Sequence, residues 1–248
     1  MPHIAIVLLS GGLDSATAAA WMLRQGVTLS ALTVDYGQSH AREVNAARRV
    51  AAALDIPHQV VDARFFAQVA THSALTQPDR HAAPFNRAPE TMAGEIPLTY
   101  VPLRNTFLLT LAAAALESRA LDSIENAGLD PGAIETSILI GANAIDYSGY
   151  PDCRPEYYRA VLETLRLGSK IGTAYGVQLQ IATPLIDKSK ADIVALASEL
   201  GAPIEHTWSC YGGGPAPCGR CDSCILRANG FRDAGRDDPA LALARAEA

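Results

Sequence analysis

The sequence has few charged residues and no block of like charges, and both absences narrow the classes of protein it can be. Charged residues make up 19% of the 248 residues, and the net charge is −6 at pH 7. A typical globular domain has about 25% charged residues, and a protein that binds nucleic acid in bulk is more often basic. Hydrophobic residues make up 49% of the chain, so a sizeable core is available. The composition therefore favours a folded protein that acts on small molecules and has no nucleic-acid partner.

Long apolar runs are also lacking. No stretch approaches the roughly 18 consecutive apolar residues of a membrane span. The longest candidate, at residues 107–116, is short and alanine-rich, which is typical of a buried helix. The N-terminus lacks the basic start, the long apolar run and the cleavage site of a secretory signal. These features predict a cytoplasmic protein without a membrane partner.

Cysteine is scarce except at one place near the C-terminus, where glycines let the backbone fold tightly. Four of the five cysteines lie there, at Cys210, Cys218, Cys221 and Cys224. In a reducing cytosol such closely spaced thiols favour metal binding over two disulfides. Four thiolates suit a closed, structural Zn²⁺ site, which is our prediction, and an iron–sulfur cluster with similar spacing is the alternative. The fifth cysteine, Cys153, has no neighbour in the sequence that marks it as a nucleophile.

Apolar runs alternate with helical patterns along the first 200 residues. Strands are predicted at residues 4–9, 29–34, 59–62, 138–144 and 178–183. Helices are predicted at residues 15–24, 40–54, 105–117, 155–167 and 189–200. This alternation predicts an α/β domain over residues 1–200, with a parallel, Rossmann-like sheet between two layers of helices. Residues 201–248 then form a small C-terminal zinc-binding segment.

Two segments interrupt the alternation. Residues 71–102 contain five prolines and no periodic pattern. Because a loop of this length is usually functional or disordered, we interpret it as a substrate-side loop or lid. Residues 118–136 contain the turn-forming run Gly128-Leu-Asp-Pro-Gly132 and are expected to be an exposed insertion.

A glycine-rich loop, Ser10-Gly-Gly-Leu-Asp-Ser15, connects the first strand to the first helix. Its glycines permit positive φ and close approach to a ligand, and the free N–H groups of the helix attract an anion. The loop lies at the carboxyl end of a strand, where open α/β sheets place ligands. It is not a Walker loop, because no Gly-Lys-Ser/Thr follows. We predict that it binds phosphate, with a capped tight turn as the plainer interpretation.

The loop resembles the pyrophosphate-binding loop of the N-type ATP pyrophosphatases, which have an adenine nucleotide alpha hydrolase-like fold. Further runs carry a narrower resemblance: Val34-Asp-Tyr-Gly-Gln38, Tyr100-Val-Pro-Leu-Arg-Asn105, Asp146-Tyr-Ser-Gly-Tyr-Pro-Asp-Cys-Arg154, Thr183-Pro-Leu185 with Lys188, and the cysteines followed by Arg227. With these runs the sequence resembles, over nearly the whole chain, one family within the N-type ATP pyrophosphatases, the 7-cyano-7-deazaguanine synthases of queuosine biosynthesis. Two features depart from the family: Leu103 stands where a small residue is frequent, and the segment 118–136 looks longer than usual.

The resemblance implies an ATP-dependent carbon–nitrogen ligase that uses Mg²⁺ and forms a homodimer. ATP activates the carboxylate of 7-carboxy-7-deazaguanine, and ammonia then gives the amide. A second ATP activates the amide oxygen, and loss of that oxygen leaves the nitrile. This chemistry is physically reasonable, because the oxygen of a free carboxylate is a poor leaving group until it is activated and the departing anion is stabilised.

The resemblance also implies roles for individual residues. The implied ATP-binding residues are Leu9, Ser10, Gly11, Gly12, Leu13, Asp14, Ser15, Ala16, Thr17, Ala18, Ala19, Val34, Asp35 and Tyr36. The implied substrate-binding residues are Asn105, Tyr147, Ser148, Gly149, Tyr150, Asp152, Arg154 and Arg227. The candidate catalytic residues are Asp14, Ser15, Arg104 and Lys188.

Within these sets, Arg104 and Lys188 are expected to neutralise phosphate charge, and a surface ion pair is the alternative for each. Asp152 is expected to accept hydrogen bonds from the base, and Arg154 to meet the carboxylate. Asp14 is expected either to lie near Mg²⁺ or to cap the helix. Asn105 is expected either to bind the ligand or to cap the helix that it begins.

Three other functions stay open from the sequence. A tRNA-modifying pyrophosphatase of the thiolase type predicts an appended RNA-binding domain and a basic surface, whereas this chain is short and acidic. A non-enzymatic zinc module leaves the phosphate loop unexplained. An enzyme that acts on a related deazapurine is not distinguished by sequence.

Overall fold

The fold is built on one parallel sheet. The structure, a computed structural model, describes residues 2–38, 41–81, 84–87, 96–144, 150–212 and 214–241. Its strands are β1 (His3–Leu8), β2 (Thr28–Asp35), β3 (His58–Asp62), β4 (Glu135–Ile140) and β5 (Gln178–Ala182). Within the described residues they form a five-stranded sheet in the order β3-β2-β1-β4-β5, and every neighbouring pair is parallel. The chain order reverses between β1 and β4, so the carboxyl ends of these two strands border the crevice where open α/β sheets bind ligands.

Helices cover both faces of the sheet, which confirms the predicted three-layer α/β class. They are α1 (Leu13–Arg24), α2 (Ala41–Ala53), α3 (Arg104–Leu121), α4 (Pro155–Gly168), α5 (Lys170–Thr173), α6 (Lys190–Leu200) and α7 (Asp222–Asp233). Short 3₁₀ turns lie at Arg64–Gln68, Pro131–Ala133, Pro151–Cys153 and Ile204–His206, and a π-helical turn lies at Asp122–Asn126. In the part of the chain that the structure describes, no helix has the length and apolar character needed to cross a membrane.

The alternation of side chains along β1 explains why both faces are covered. Ala5 and Val7 face one apolar cluster, which α1, α2, α6 and α7 complete, whereas Ile6 and Leu8 face another, which α3 and α4 complete. All four side chains are at most 7% exposed. A strand buried on both faces reads as a continuous apolar run, which is the pattern that predicted β1.

The ten strands and helices predicted before residue 201 are confirmed, with ends shifted by a few residues. The predicted capping box is present as well. The side chain of Ser189 accepts a hydrogen bond from the backbone N–H of Asp192, and the side chain of Asp192 accepts one from the backbone N–H of Ser189. The helix α7 was not predicted as a separate element, because the cysteines dominate the pattern of that segment.

The segment 118–136 is exposed in its middle, at residues 125–128, but several of its other residues are buried. The helix α3 continues to Leu121, and the chain then turns through the π-helical segment. Ala120, Ile124 and Ile134 are at most 9% exposed, and they pack with Ile171 in a small apolar cluster at the edge of the core. The polar turn around residues 128–132 concealed these buried positions in the sequence.

The proline-rich segment 71–102 is partly buried. Ser73, Thr99 and Val101 are at most 1% exposed, so the ends of the segment are anchored in the protein. Residues 82–83 and 88–95 lie outside the described part. Leu103, just after the segment, has a left-handed backbone with φ of 54°. Glycine, which has no Cβ atom, adopts this conformation without the strain that leucine has here.

Candidate active site

The predicted phosphate loop, residues 10–15, is held in place by close backbone packing. Gly11 has φ of +85°, and a Cβ atom at this position would lie 2.4 Å from the carbonyl oxygen of Glu43 in α2. Gly12 is the N-cap residue of α1 and has an extended backbone. The Oγ atom of Ser15 donates to the carbonyl of Gly12 at 3.1 Å and lies 3.0 Å from the Oγ atom of Ser10. The loop therefore places two hydroxyl groups and the N-terminus of α1 at one point.

A second strand end supports the same loop. Gly141 follows β4, and a Cβ atom there would lie 2.8 Å from the backbone of Asp14 and Ser15. Since α1 approaches β4 this closely, only glycine fits without displacing the loop. The phosphate loop thus lies at the β1–β4 crevice, where the order of the strands reverses.

Asp14 forms an ion pair that the sequence did not predict. Its Oδ2 and Oδ1 atoms lie 2.7 and 3.0 Å from the Nζ atom of Lys190, the first residue of α6. The stem of Lys190 passes over Gly230, where a Cβ atom would lie 2.4 Å from its Cγ. The lysine is therefore guided toward the phosphate loop by the packing of α6 against α7.

One cavity of about 330 Å³ opens at the carboxyl ends of the strands and joins residues from distant segments. It brings together the predicted site residues Leu9, Ser10, Gly12, Leu13, Asp14, Ser15, Val34, Tyr36, Arg104, Asn105, Tyr150 and Arg227. It is also lined by residues that were not predicted, among them Glu43, Thr99, Lys190, Trp208, Ser209, Tyr211 and Asp222. The predicted residues Tyr147, Ser148 and Gly149 lie outside the described part of the chain.

Other predicted residues are described but do not line this cavity. They are Gly11, Ala16, Thr17, Ala18, Ala19, Asp35, Lys188, Asp152 and Arg154. Residues 16–19 are completely buried in the core beneath the loop, and the hydroxyl of Thr17 donates to the carbonyl of Leu13 at 2.8 Å. The carboxylate of Asp35 accepts from the backbone N–H of Gly37 at 3.3 Å, so it shapes the turn after β2.

Lys188 does not line the cavity, and its predicted catalytic role stays a prediction. Its backbone carbonyl accepts a hydrogen bond from the side chain of Asn143, and the residue precedes the N-cap of α6. Among the described cavity residues, Lys190 is present and Lys188 is not. The two lysines are two residues apart, and the one at the start of α6, Lys190, faces the phosphate loop.

Arg104 is the central cation of the cavity wall. It begins α3, and it lies near the side chains of Tyr36, Tyr150 and Asp152. Burial alone would lower the pKa of Arg104, but its interactions with these three groups raise the pKa above its usual value. A positive charge that is permanent, directional and partly desolvated is suited to an anionic ligand.

Asp152 and Arg154 lie just before α4 and do not line the cavity. Asp152 is 4% exposed, and its Oδ2 atom accepts from the backbone N–H of Asn105 at 3.2 Å. The side-chain amide of Asn105 donates to the carbonyl of Asp152 at 2.9 Å, so this pair ties the loop before α4 to the start of α3. The Oδ1 atom of Asp152 is buried and has no hydrogen-bond partner among the described residues, so the predicted contact with the base stays a prediction. Arg154 is exposed and is the N-cap residue of α4.

Glu43 is one of two cavity acids that were not predicted from the sequence, and the other is Asp222. Glu43 lies in α2, and burial raises the pKa of its carboxyl to about 7, with partial compensation by Arg104. Its sequence neighbourhood is that of an ordinary polar helix position. Only the tight packing of α2 against Gly11 shows that it faces the cavity.

Cys153 lines the cavity but has the properties of an inert thiol. Burial and the neighbouring Asp152 raise the pKa of Cys153 to about 11. Since the thiolate is the reactive form of cysteine, this shift argues against nucleophilic catalysis.

The four C-terminal cysteines form a cluster that fits a metal ion. Their Sγ atoms all lie within 4.8 Å of one another, and those of Cys218 and Cys224 are 4.0 Å apart. Tetrahedral zinc with Zn–S bonds of about 2.3 Å has S–S separations of roughly 3.8 Å, so the donors need only a small contraction. Cys210 accepts hydrogen bonds from the backbone N–H groups of Gly212 and Cys218, both at 3.2 Å, which stabilise a thiolate.

The cysteine segment is attached directly to the phosphate loop. The backbone N–H of Trp208 donates to the carbonyl of Gly11 at 2.8 Å, and its indole N–H donates to the carbonyl of Cys210 at 2.9 Å. Arg227 donates to both carboxylate oxygens of Asp238, at 2.6 and 2.8 Å, and to the hydroxyl of Ser209 at 3.1 Å. Hydrogen bonds of Trp208 therefore connect the cysteine cluster to the phosphate loop.

Comparison with known proteins finds relatives over nearly the whole chain. A family model described as "Queuosine biosynthesis protein QueC" matches residues 4–235. A 7-cyano-7-deazaguanine synthase of Thermoplasma acidophilum is 44% identical over 237 residues, which cover 95% of this chain and 90% of the relative. A protein of the same name from Synechococcus elongatus is 46% identical and covers 97% of this chain and 96% of the relative.

Similarity to solved structures is lower. NMN synthetase of Francisella tularensis aligns over 98% of this chain and 81% of its own, with a TM-score of 0.40 and 17% sequence identity. No functional conclusion follows from similarity at this level.

Proposed function

Because the chain belongs to the QueC family of queuosine biosynthesis proteins, we propose that it is an ATP-dependent 7-cyano-7-deazaguanine synthase. In the proposed reaction, ATP activates a carboxylate oxygen of 7-carboxy-7-deazaguanine, and ammonia displaces the activated oxygen to give the amide. A second ATP activates the amide oxygen. Departure of that oxygen, with loss of both amide protons, leaves the nitrile.

The observation that carries the proposal is that one cavity joins the phosphate loop, the cation Arg104 and the segment containing Tyr150. A nucleotide in the loop and an acid beside Arg104 then lie in the same cavity. Proximity of this kind contributes strongly to rate, because it replaces a bimolecular encounter with an oriented one.

In this proposal, the phosphate loop holds the polyphosphate of ATP. Ser10 and Ser15 donate hydroxyl hydrogen bonds, and the N-terminus of α1 adds its free N–H groups. Lys190 replaces Lys188 as the cation that neutralises developing phosphate charge, since its ammonium group already lies beside Asp14 at the loop. Val34 and Tyr36, at the end of β2, border the nucleoside.

The substrate side of the cavity is assigned to Arg104, Asn105 and Tyr150, with Arg227 on the wall formed by α7. Arg104 binds the carboxylate and orients one of its oxygens toward the nucleotide. Tyr150 is fixed by a 2.8 Å hydrogen bond between its hydroxyl and that of Thr99, so its ring presents a stable surface for a planar base. Aromatic faces of this kind suit stacking with a purine-like ring.

Three further properties are proposed: a structural zinc ion, a magnesium ion that accompanies ATP, and the location and oligomeric state of the protein. Zn²⁺ occupies the cysteine cluster in a structural role, because four protein ligands leave no open position for catalysis. Mg²⁺ accompanies ATP. The protein is a cytoplasmic homodimer. Elemental analysis for about one zinc per chain and light scattering in solution test the first and third properties.

The proposed function is tested by incubating the purified, metal-loaded protein with ATP, Mg²⁺, ammonia and 7-carboxy-7-deazaguanine. Mass spectrometry is expected to detect the amide and then the nitrile, and neither should form when ATP is omitted. Absence of both products with folded, metal-loaded protein would refute the proposed function.

A further inference from the structure

A short segment at residues 84–87 is docked on the metal-binding segment. Phe85 forms an isolated antiparallel bridge with Cys221, and the backbone N–H of Asn86 donates to the carbonyl of Arg220 at 2.8 Å. The guanidinium of Arg220 lies 4.8 Å from the centroid of the Phe85 ring. These contacts bring the next residue, Arg87, to the start of α7.

Arg87 forms an ion pair with Asp222, the first residue of α7. Its Nε atom donates to Oδ1 at 3.2 Å, and its Nη2 atom donates to Oδ2, so the guanidinium meets both oxygens of the carboxylate. The side chain of Asp222 is 4% exposed, and that of Arg87 is 22% exposed. A side-on pair of this geometry holds the carboxylate in one orientation.

Asp222 also lines the cavity, and this creates an electrostatic problem. Under the proposed function, the cavity receives ATP and a carboxylate, which are both anions. A buried carboxylate without a partner in its wall would repel both ligands, because like charges juxtaposed at a binding site weaken binding. Arg87 lies behind Asp222, where it cancels this charge. Lys190 does the same for Asp14 at the loop.

We propose that Arg87 is a positioning residue for anion binding: by pairing with Asp222, it removes a repulsive charge from the cavity wall and allows ATP and the acid substrate to bind. This inference rests on the proposed function for the identity of the ligands. The segment 84–87, which belongs neither to the phosphate loop nor to the cysteine cluster, thereby has a role in ligand binding.

The test compares the variants Arg87→Gln, Arg87→Lys, Asp222→Asn and the double variant Arg87→Gln/Asp222→Asn. The matched control is Arg232→Gln. It removes an arginine of α7, the helix that contains Asp222, from an exposed ion pair with Asp233. For each protein, the dissociation constants of MgATP and of 7-carboxy-7-deazaguanine are measured by calorimetry, and the zinc content is measured by elemental analysis.

Arg87→Gln is expected to weaken the binding of MgATP and of the acid by about tenfold or more, because it leaves the Asp222 charge uncompensated. The double variant is expected to recover most of the lost affinity, since the repulsive charge is then absent as well. Arg87→Lys is expected to be intermediate, and Arg232→Gln to match the parent. A merely structural role for Arg87 predicts the opposite for the double variant, which would lose both partners and bind no better than Arg87→Gln.

Equal affinity of Arg87→Gln and the parent would overturn the proposal, as would a double variant without recovery. If Arg87→Gln does not fold, Asp222→Asn decides, because it must bind MgATP at least as tightly as the parent, and weaker binding would contradict the inference. A parent protein that binds no ATP contradicts the proposed function itself. A parent that binds ATP and shows no effect of Arg87→Gln contradicts only this inference.

Discussion

The ammonium group of Lys190 lies 2.7 Å from the nearer carboxylate oxygen of Asp14, and this contact joins α6 to the first turn of α1 at the phosphate loop. The side chains of Lys190 and Asp14 are 17% and 26% exposed, so the pair is partly protected from solvent. A cation held at this point is available to the phosphates of a nucleotide in the loop.

Replacing Lys190 with Ala is expected to lower kcat/KM on the order of 100-fold, because a preorganised charge near the transferring group is lost. The matched control is Lys188→Ala, two residues earlier, which is expected to stay within about threefold of the parent. Steady-state kinetics at saturating ammonia distinguishes the two variants. A large loss for Lys188→Ala and none for Lys190→Ala would return the phosphate cation to position 188.

Gly141 provides a test of the crevice at the end of β4. Gly141→Ala is expected to displace the phosphate loop, because the new methyl group would lie 2.8 Å from the backbone of Asp14 and Ser15. Overpacking of this kind costs about 1–3 kcal/mol, so we expect a lower Tm and weaker binding of MgATP. Gly168→Ala is the control, since the corresponding space is open there. Calorimetry that finds normal ATP affinity in Gly141→Ala would contradict the placement of the loop.

Cys153 is expected to stay unreactive at neutral pH. Its pKa is raised to about 11, so the folded protein keeps the thiol protonated until the solution pH approaches that value. Relative to an unperturbed thiol, alkylation by iodoacetamide at pH 8 is expected to be slower on the order of 100-fold. Peptide mass spectrometry compares the labelling rate of Cys153 in the folded protein and in guanidinium. Cys153→Ser is expected to retain activity, and equal labelling rates in both states would contradict the shift.

Removal of the metal is expected to affect the phosphate loop as well as the cysteine segment. Since a structural zinc site contributes on the order of 10 kcal/mol to local folding, and 1 kcal/mol shifts the Tm of a chain of this size by about 2–4 °C, a strong chelator should lower the Tm by roughly 20–40 °C. The affinity for ATP should fall too, because Trp208 connects the segment to Gly11. Added Zn²⁺ should restore both properties. Unchanged Tm and ATP affinity in metal-free protein would show that the two parts are independent.

The sequence predicts those parts of the site that depend on local pattern. The apolar run of β1, followed by the loop at residues 10–15, specifies the phosphate loop without any long-range information, and the cysteine spacing specifies the cluster in the same way. Gly11 and Gly141 illustrate the limit, because their need for glycine arises from α2 and α1 packing against them.

The contacts that the sequence does not predict have the same physical origin. Lys188 and Lys190 are both plausible cations in the sequence, and only the contact between α6 and Gly230 decides which one reaches Asp14. One carboxylate oxygen of Asp152 is held by Asn105, which is 47 residues away, whereas its Oδ1 atom has no hydrogen-bond partner in the described part of the chain. Glu43 and Asp222 lack any motif, and tertiary packing alone brings them to the cavity.

In the proposed reaction, ATP activates two oxygens in succession, one from the acid and one from the amide. The most direct test uses 7-carboxy-7-deazaguanine with ¹⁸O in both carboxylate positions, together with ATP and ammonia, and follows the label by mass spectrometry. Both ¹⁸O atoms are expected on the AMP or the inorganic phosphate released from ATP, one for each of two ATP molecules consumed per nitrile. Label in water, or a single labelled nucleotide product per nitrile, would contradict this reaction.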